Sequence, residues 1–532
     1  MSEAIKHLPV SKASGLLRSS LIVSCMTMLS RVLGLVRDIS IAILAGATAN
    51  ADAFFIAFKV PQFLRRLFAE GAFSQAFVPI LSEYQQQRDF AAVQFLVNKV
   101  SAVLGSSLIF VTGLAVVGAP WLTALVAPGF IAQPEKYQLT TSLIQITFPY
   151  LFFISLTGFA GAVLNSYGRF AVPAFTPVIL NACLIGAATW GVSYFPEPVF
   201  ALAWGVFIAG VAQFLFQLPF LANIHLLPRP DFDTKDEGVR RILTLMVPAL
   251  FGVSVSQINL LLDTVLASFL PTGSVSWLYF SDRLVELPLG VFAIAVSTVI
   301  LPSLSRKHAN ASVGDFQKTL DWAVRMILLI SLPAACALFI LAEPLLTTLF
   351  LYGDAFQVSD IQMAALSLRA YTLGLLPFML IKVLAPGYYS QQDMKTPVKI
   401  GVIAMVANMG LNVAFVYPLH TYYAIGHVGL ALATFASACL NAGLLLRGLL
   451  VKQVYAVQPG FWWLLLRAGV AAAIMSGLLM VFTPAFPEWV ESSWLERLIP
   501  MMGLVVGGVV VYVLSLLVLG LRITDIKSPV VN

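Results

Sequence analysis

The chain has 532 residues, of which 59% are hydrophobic and only 11% charged, with a formal net charge of +6. Soluble domains carry about 25% charged residues, so the composition excludes a soluble enzyme and indicates an all-α, polytopic membrane protein. The positive charge is scattered over short loops and a buried cluster, so nucleic acid is not an expected partner.

The N-terminus is short and basic (Lys6, Lys12, Arg18), and no small-residue cleavage site follows an apolar run, so no signal peptide is expected. Cys25, Cys183, Cys336 and Cys439 all lie inside apolar runs and read as small apolar fillers. A membrane span needs about 20 largely apolar residues. Fourteen segments are read as spans: 20–45, 52–79, 93–118, 139–165, 173–194, 199–221, 240–269, 275–302, 316–341, 359–388, 397–417, 427–450, 461–482 and 499–521.

Loop charge sets the expected orientation. The N-terminus and every second loop carry Lys6, Lys12, Arg18, Arg88, Arg169, Arg229, Lys235, Arg306, Lys307, Lys395, Lys452 and Lys527, whereas the opposite loops carry only Lys136 and Arg497. By the positive-inside rule both termini are cytoplasmic.

The chain also repeats itself. Ser74 and Pro79, followed by Leu81 and Ser82, return as Ser297, Pro302, Leu304 and Ser305, 223 residues later. Pro120-Trp-Leu-Thr-Ala-Leu returns as Pro344-Leu-Leu-Thr-Thr-Leu, and Thr176-Pro177-Val178 returns as Thr396-Pro397-Val398. Spans 1–6 and 7–12 therefore read as two copies of the same orientation, a parallel repeat of the kind whose lobes rock to alternate access. The expected division is 1–19 (cytoplasmic N-terminus), 20–221 (first six-helix lobe), 222–239 (cytoplasmic linker), 240–450 (second six-helix lobe) and 451–532 (spans 13 and 14 with the tail).

The first two spans hold charge at membrane depth, where each charge costs roughly 2.5–3.5 kcal/mol on insertion scales and is a functional suspect. In span 1, Ser24, Thr27, Ser30, Arg31, Gly34, Arg37 and Asp38 share one face at helical spacing. The alternative to a functional face is a polar seam packed on a neighbouring helix. In span 2, Asp52, Lys59 and Arg66 are seven apart and share a face. Glu70 is four after Arg66 and can pair with it, which leaves Arg65 as the free cation. Pro61 should bend this helix. Span 8, the counterpart of span 2, opens with Asp282, Arg283 and Glu286; Arg283 can pair structurally with Glu286 three residues on. Matching spans 1, 2, 7 and 8 should line the cleft between the lobes. Arginine suits two-pronged binding of phosphate oxygens, so the cleft suggests an anionic, phosphate-bearing substrate.

Weaker features follow. Asp263 in span 7, with Asn408 and Asn412 in span 11, could offer oxygens to a small cation, or the asparagines could bond across helices. Arg369 and Lys382 in span 10 could serve transport or pair structurally. Spans 13 and 14, nearly free of charge apart from Arg467, could form an apolar groove for a lipid tail or protect the bundle. There is no GxxxxGK[ST], HExxH or GxSxG sequence, so no ATPase, zinc peptidase or nucleophile-elbow enzyme is expected.

The segments SRVLGLVRD (30–38), ADAFFIAFKVPQFLRRLFAEGAFSQAFVP (51–79), GSVSWLYFSDRL (273–284) and KVLAPGYYSQQDMKTPVK (382–399) resemble the MurJ (MviN) family of bacterial lipid II flippases, within the MOP exporter superfamily. The resemblance covers essentially the whole chain. It implies a transporter, not an enzyme, that turns undecaprenyl-diphosphate-linked disaccharide-pentapeptide from the cytoplasmic to the periplasmic leaflet of the inner membrane for peptidoglycan synthesis. The family's functional arginines match Arg31, Arg37, Arg65 and Arg283, with Asp38 and Asp52 nearby, and its groove for the polyprenyl tail falls on spans 13 and 14. Some members hold sodium with carboxylates in spans 7 and 11, where this chain has Asn408 and Asn412 in span 11. No cofactor or metal is implied; membrane potential or an ion gradient would drive the cycle. Implied partners are lipid II, membrane lipids and other cell-wall synthesis proteins. Two rivals are a flippase for another polyprenyl-linked glycan and a non-transporting scaffold that recruits cell-wall enzymes. A scaffold would gain nothing from arginines kept in the membrane.

Overall fold

The computed structural model describes residues 13–229, 231, 236–310 and 312–522; of these, the side chains of 13–21, 68–70, 72, 251–253, 255 and 256 are not described. Lys6, Lys12, Lys235 and Lys527, and the side chains of Arg18 and Glu70, lie outside that description. All regular structure among the described residues is helical. The helices fall into two compact units: the chain up to Ala45 with Ala49–Val265, and Gly46–Thr48 with the chain from Leu266 on.

The first unit contains α1 (Ala13–Ala45), α2 (Ala49–Leu64), a π-helix (Arg65–Phe73), α3 (Ser74–Gln87), α4 (Phe90–Val117), α5 (Ala119–Val126), α6 (Pro134–Thr147), α7 (Tyr150–Ser166), α8 (Ala171–Thr189), α9 (Pro198–Asn223) and most of α10 (Glu237–Ala267). Its core joins α3, the π-helix, α4 and α7. Phe73 and Phe77 stack at 5.1 Å, and Phe77 meets Phe159 at 5.2 Å. Each such ring pair adds about 0.5–1.5 kcal/mol beyond area burial, which matters where lipid removes any hydrophobic drive between spans. The repeat read from sequence opens its second copy at residue 240, yet the start of α10 packs with the first unit. Val239 and Ile242 enter its core, Lys99 pairs with Asp236 at 3.0 Å, and Arg241 grips Glu83 with two nitrogens.

The second unit continues with α11 (Ser274–Pro288), a π-helix (Leu289–Ala293), α12 (Ile294–Ala309), α13 (Val313–Ile340), α14 (Ala342–Phe350), α15 (Val358–Leu373), α16 (Leu375–Tyr389), α17 (Lys395–Tyr423), α18 (Gly426–Val451), α19 (Phe461–Phe482), α20 (Phe486–Glu491) and α21 (Trp494–Val518). Here α13, α19 and α21 share a core around Met326, Leu329, Met475 and Leu504, with Ala468, Ala471 and Ala472 letting the backbones approach. Gly46 is held at φ +57°, and a Cβ there would run into the carbonyl of Ala355.

The elements reproduce the repeat. α4 and α5 begin at Phe90 and Ala119, and α13 and α14 at Val313 and Ala342, 223 residues later in each case. The two π-helices start at Arg65 and Leu289, 224 apart. Wide turns with i→i+5 bonds are rare and concentrate at functional sites, so a matched pair is specific.

Eleven helices among the described residues are long and apolar enough to cross a membrane. The other expected spans, 20–45, 52–79 and 240–269, fall on α1, on the α2–π–α3 rod and on α10. These three carry the charges of spans 1 and 2 and Asp263, whereas Asp282, Arg283 and Glu286 lie on one of the eleven.

Helix α2 continues through Pro61, and the bonding register changes at Arg65. Pro61 cannot bond the carbonyl of Ala57 four residues back. The buried Thr147 hydroxyl donates to that carbonyl at 3.1 Å instead. The same device recurs in the second unit. Pro333 leaves the Leu329 carbonyl without its helical partner, and the Tyr512 hydroxyl of α21 donates to it at 2.9 Å.

Candidate functional site

The polar face of α1 is partly a packed seam and partly open. Arg37 is 9% exposed and Asp38 4% exposed. Arg37 Nε and Nη2 both donate to Asp38 Oδ1, at 2.9 and 2.6 Å, and Nη1 donates to Asn181 Oδ1 at 3.0 Å. Asn181, on α8, also donates through Nδ2 to the Ser30 carbonyl at 2.8 Å. One asparagine thus ties two turns of α1 and fixes the arginine fork. Arg31, one step around the helix, is half-buried and has no hydrogen bond or ion pair among the described residues. The seam reading therefore holds for Arg37 and Asp38, and Arg31 keeps its donors available. Sequence reasoning missed Asn181; the available signal was a lone amide in the apolar run VILNACLIG.

On α2, Asp52 and Lys59 share a helical face but not an environment. Asp52 is 1% exposed and pairs at 2.9 Å with Lys136 of α6, while Lys59 is exposed. Lys136, expected in a loop, is buried, with its ammonium 4.2 Å from the centre of the Phe130 ring. The cause is that the neutralising carboxylate is 84 residues away in the chain. The expectation that Arg65 is the free cation is also corrected: it is half-buried, opens the π-helix and has an interaction partner. Arg66 follows it in the same wide turn; its expected pairing with Glu70 falls on a side chain outside the description.

In the second unit Arg283 donates to Glu286 at 2.7 Å and lies 4.8 Å from the centre of the Tyr279 ring. Its neighbour Asp282 also has a partner. Arg369 pairs with Glu343 at 3.1 Å, a structural tie between α15 and α14. Asn412 donates to Asn408 at 2.9 Å, and Asn408 to Ser437 of α18 at 3.3 Å, all three buried, so these amides bond across helices. Asp263, a residue of the first unit, has an interaction of its own. Among the described residues no group of three or more His, Cys, Asp or Glu could hold a metal ion. Arg497, the other cation expected in a loop, is 7% exposed and donates to the carbonyls of Trp489, Val490 and Leu351.

Outside the spans, Asp393 accepts from the Thr396 hydroxyl and backbone N–H and from Lys452, which pulls its carboxyl down to about 2. The Tyr455 hydroxyl donates to buried Asp321 at 2.9 Å, and burial followed by that carboxylate pushes its ionisation up. Both contacts tie loop residues to neighbouring helices.

The family model described as "Lipid II flippase MurJ" matches residues 41–499. A Vibrio cholerae protein named "Probable lipid II flippase MurJ" is 49% identical over 526 residues, covering 98% of this chain and 99% of its own. "Lipid II flippase MurJ" of Burkholderia cenocepacia is 43% identical over 468 residues, covering 87% of this chain and 89% of its own. Among solved structures, "Lipid II flippase MurJ, inward closed conformation" superposes with a TM-score of 0.77 at 26% identity, covering 93% of this chain and 98% of that one. An inward-facing multidrug resistance MATE transporter of the MOP superfamily superposes with a TM-score of 0.65 at 16% identity, covering 82% of this chain and 98% of its own, a likeness of fold alone. The chain, a multi-pass helical transporter and not an enzyme, belongs to the MurJ family of lipid II flippases.

Proposed function

We propose that this protein flips lipid II across the inner membrane by alternating access of its two units, with both termini cytoplasmic. The observation that carries the reading is the pair of arginines on α1, one locked by Asp38 and Asn181 and the other half-buried with its donors available. An arginine fork matches two phosphate oxygens, and lipid II carries a diphosphate. Arg31 is assigned first contact with that diphosphate. Arg37 supplies a fixed positive charge, with its fork held by the seam. Arg65 and Arg283 complete the binding set in the respective units. The undecaprenyl tail stays in lipid or along α19 and α21. Membrane potential or an ion gradient resets the cycle.

The test is reconstitution into liposomes with fluorescent lipid II, following its accessibility in the outer leaflet while voltage and ion gradients are varied. Wild type should move lipid II only under one of these forces, and Arg31→Ala should bind it weakly and move none. Unimpaired flipping by Arg31→Ala would remove α1 from the substrate path. Flipping of other polyprenyl-diphosphate glycans at the same rate would broaden the substrate class.

A further inference from the structure

The first unit contains a cavity of about 160 Å³ between α4, α7 and α10 that the transport reading does not use. Its mouth is formed by Ser107 and Val111 of α4 and Leu243 of α10, all exposed and all within segments read as spans. Its floor is buried: Phe73, Leu151 and Ser155 are 4%, 1% and 2% exposed. No charged residue lines it. With no charged group in its lining, such a space suits an apolar guest. A closed apolar cavity of about 150 Å³ stays dry and takes a benzene-sized guest.

The floor carries one polar handle. Hydroxyls in this chain's helices usually return to the carbonyl four residues back, as Ser107 does to Val103 at 2.8 Å. The Ser155 hydroxyl is buried and has no hydrogen-bond partner among the described residues. A buried hydroxyl in that state is destabilising unless something supplies a partner. An acyl chain would fill the volume but leave it unpaired.

We infer that this cavity is a binding site for a ring-sized, membrane-partitioning hydrophobe with one hydrogen-bonding group, of the simple phenol class, whose oxygen meets Ser155. Phe73 supplies an aromatic wall, and Met246, unbranched and polarizable, adapts to the ring's edge. A guest here would lie against the first turns of α10. The site rests on none of the arginines, so it stands apart from the lipid II reading.

The experiment uses the full chain in phosphatidylcholine nanodiscs and a phenol bearing a trifluoromethyl-diazirine, photolysed and mapped by mass spectrometry. Labelling should saturate, concentrate on the α4 and α10 segments that form the mouth, and be displaced by 4-propylphenol better than by propylbenzene. Ser155→Ala, which deletes only the unpartnered hydroxyl, should fold normally and bind the probe about two- to tenfold more weakly. Ser155→Leu should abolish saturable labelling; if it does not fold, the alanine variant decides. Labelling spread evenly to Phe110 and Leu114, or unchanged affinity in Ser155→Ala, would overturn the proposal. A photoactivatable acyl chain that labels the same residues and is not displaced by the phenol would assign the cavity to lipid instead.

Discussion

Arg31 and Arg37 lie six residues apart on α1 and meet different surroundings. The fork of Arg37 is occupied by Asp38 and Asn181, whereas that of Arg31 has no partner among the described residues. Lysine keeps the charge and loses the fork. Arg31→Lys should therefore insert normally and bind lipid II about ten- to a hundredfold more weakly, the equivalent of about 1.5–3 kcal/mol for one charged hydrogen bond. Arg37→Lys should fall on stability, because a point-like ammonium lacks the planar fork whose Nε and Nη2 reach Asp38 while Nη1 reaches Asn181, and Asn181→Leu should reproduce that loss. Thermal unfolding and lipid II binding of the purified variants separate the two outcomes; a stable but non-binding Arg37→Lys would reverse the roles. Helical periodicity was enough to put both arginines on one face. It could not tell a seam from an open face, because the residue that decides, Asn181, is 144 positions away.

At the scale of elements, two helices pass through a proline because another helix mends the gap. Thr147 serves Ala57 beside Pro61, and Tyr512 serves Leu329 ahead of Pro333. Tyr512→Phe should lower stability by about 1–3 kcal/mol, the cost of a stranded buried carbonyl. Adding Pro333→Ala restores the missing N–H and should recover most of it, so the double variant should melt above Tyr512→Phe alone. Equal melting of both would mean that the hydroxyl is not the carbonyl's repair. The buried pair of Asp52 and Lys136 is the other long-range tie. Lys136→Met alone should cost about 3–5 kcal/mol by stranding a carboxylate, while Asp52→Leu with Lys136→Met should restore much of the stability. A double variant no better than Lys136→Met would show that the pair contributes more than mutual neutralisation. Neither tie could be read from sequence, since a proline announces only the bond it removes and an aspartate announces no partner.

At the scale of the whole molecule the repeat was the legible part. Serines and prolines at constant spacing placed the second copy 223 residues after the first, and helix starts at Phe90 and Val313 keep that interval. The wide turns at Arg65 and Leu289 were not legible, because a change of bonding register barely alters the apolar pattern around it. Orientation rests on loop charge and can be measured directly. In a background without the four native cysteines, cysteine at Thr272 or Tyr422 should react with an impermeant thiol reagent outside intact cells, and cysteine at Arg229 or Met394 should not. Thr272 is preferred to its neighbour Gly273, whose φ of +96° a side chain would strain. Labelling at all four positions would break the even-span topology.

The wide turns also decide where this chain can be shortened. Removing a residue from an ordinary α-helix swings everything beyond it by about 100°, and in the rod from α2 to α3 that would turn Phe77 and Tyr84 out of their core. Within 65–73 the helix already holds more chain per turn than an α-helix needs. A single deletion there can tighten the turn to the common pitch and leave both flanking faces where they were. Deletion scans along 49–87 and along 274–309 should therefore show folded protein dipping everywhere except within 65–73 and 289–293. Where tolerance coincides with lost flipping, the slack itself is part of the transport cycle and not a relic of an old insertion.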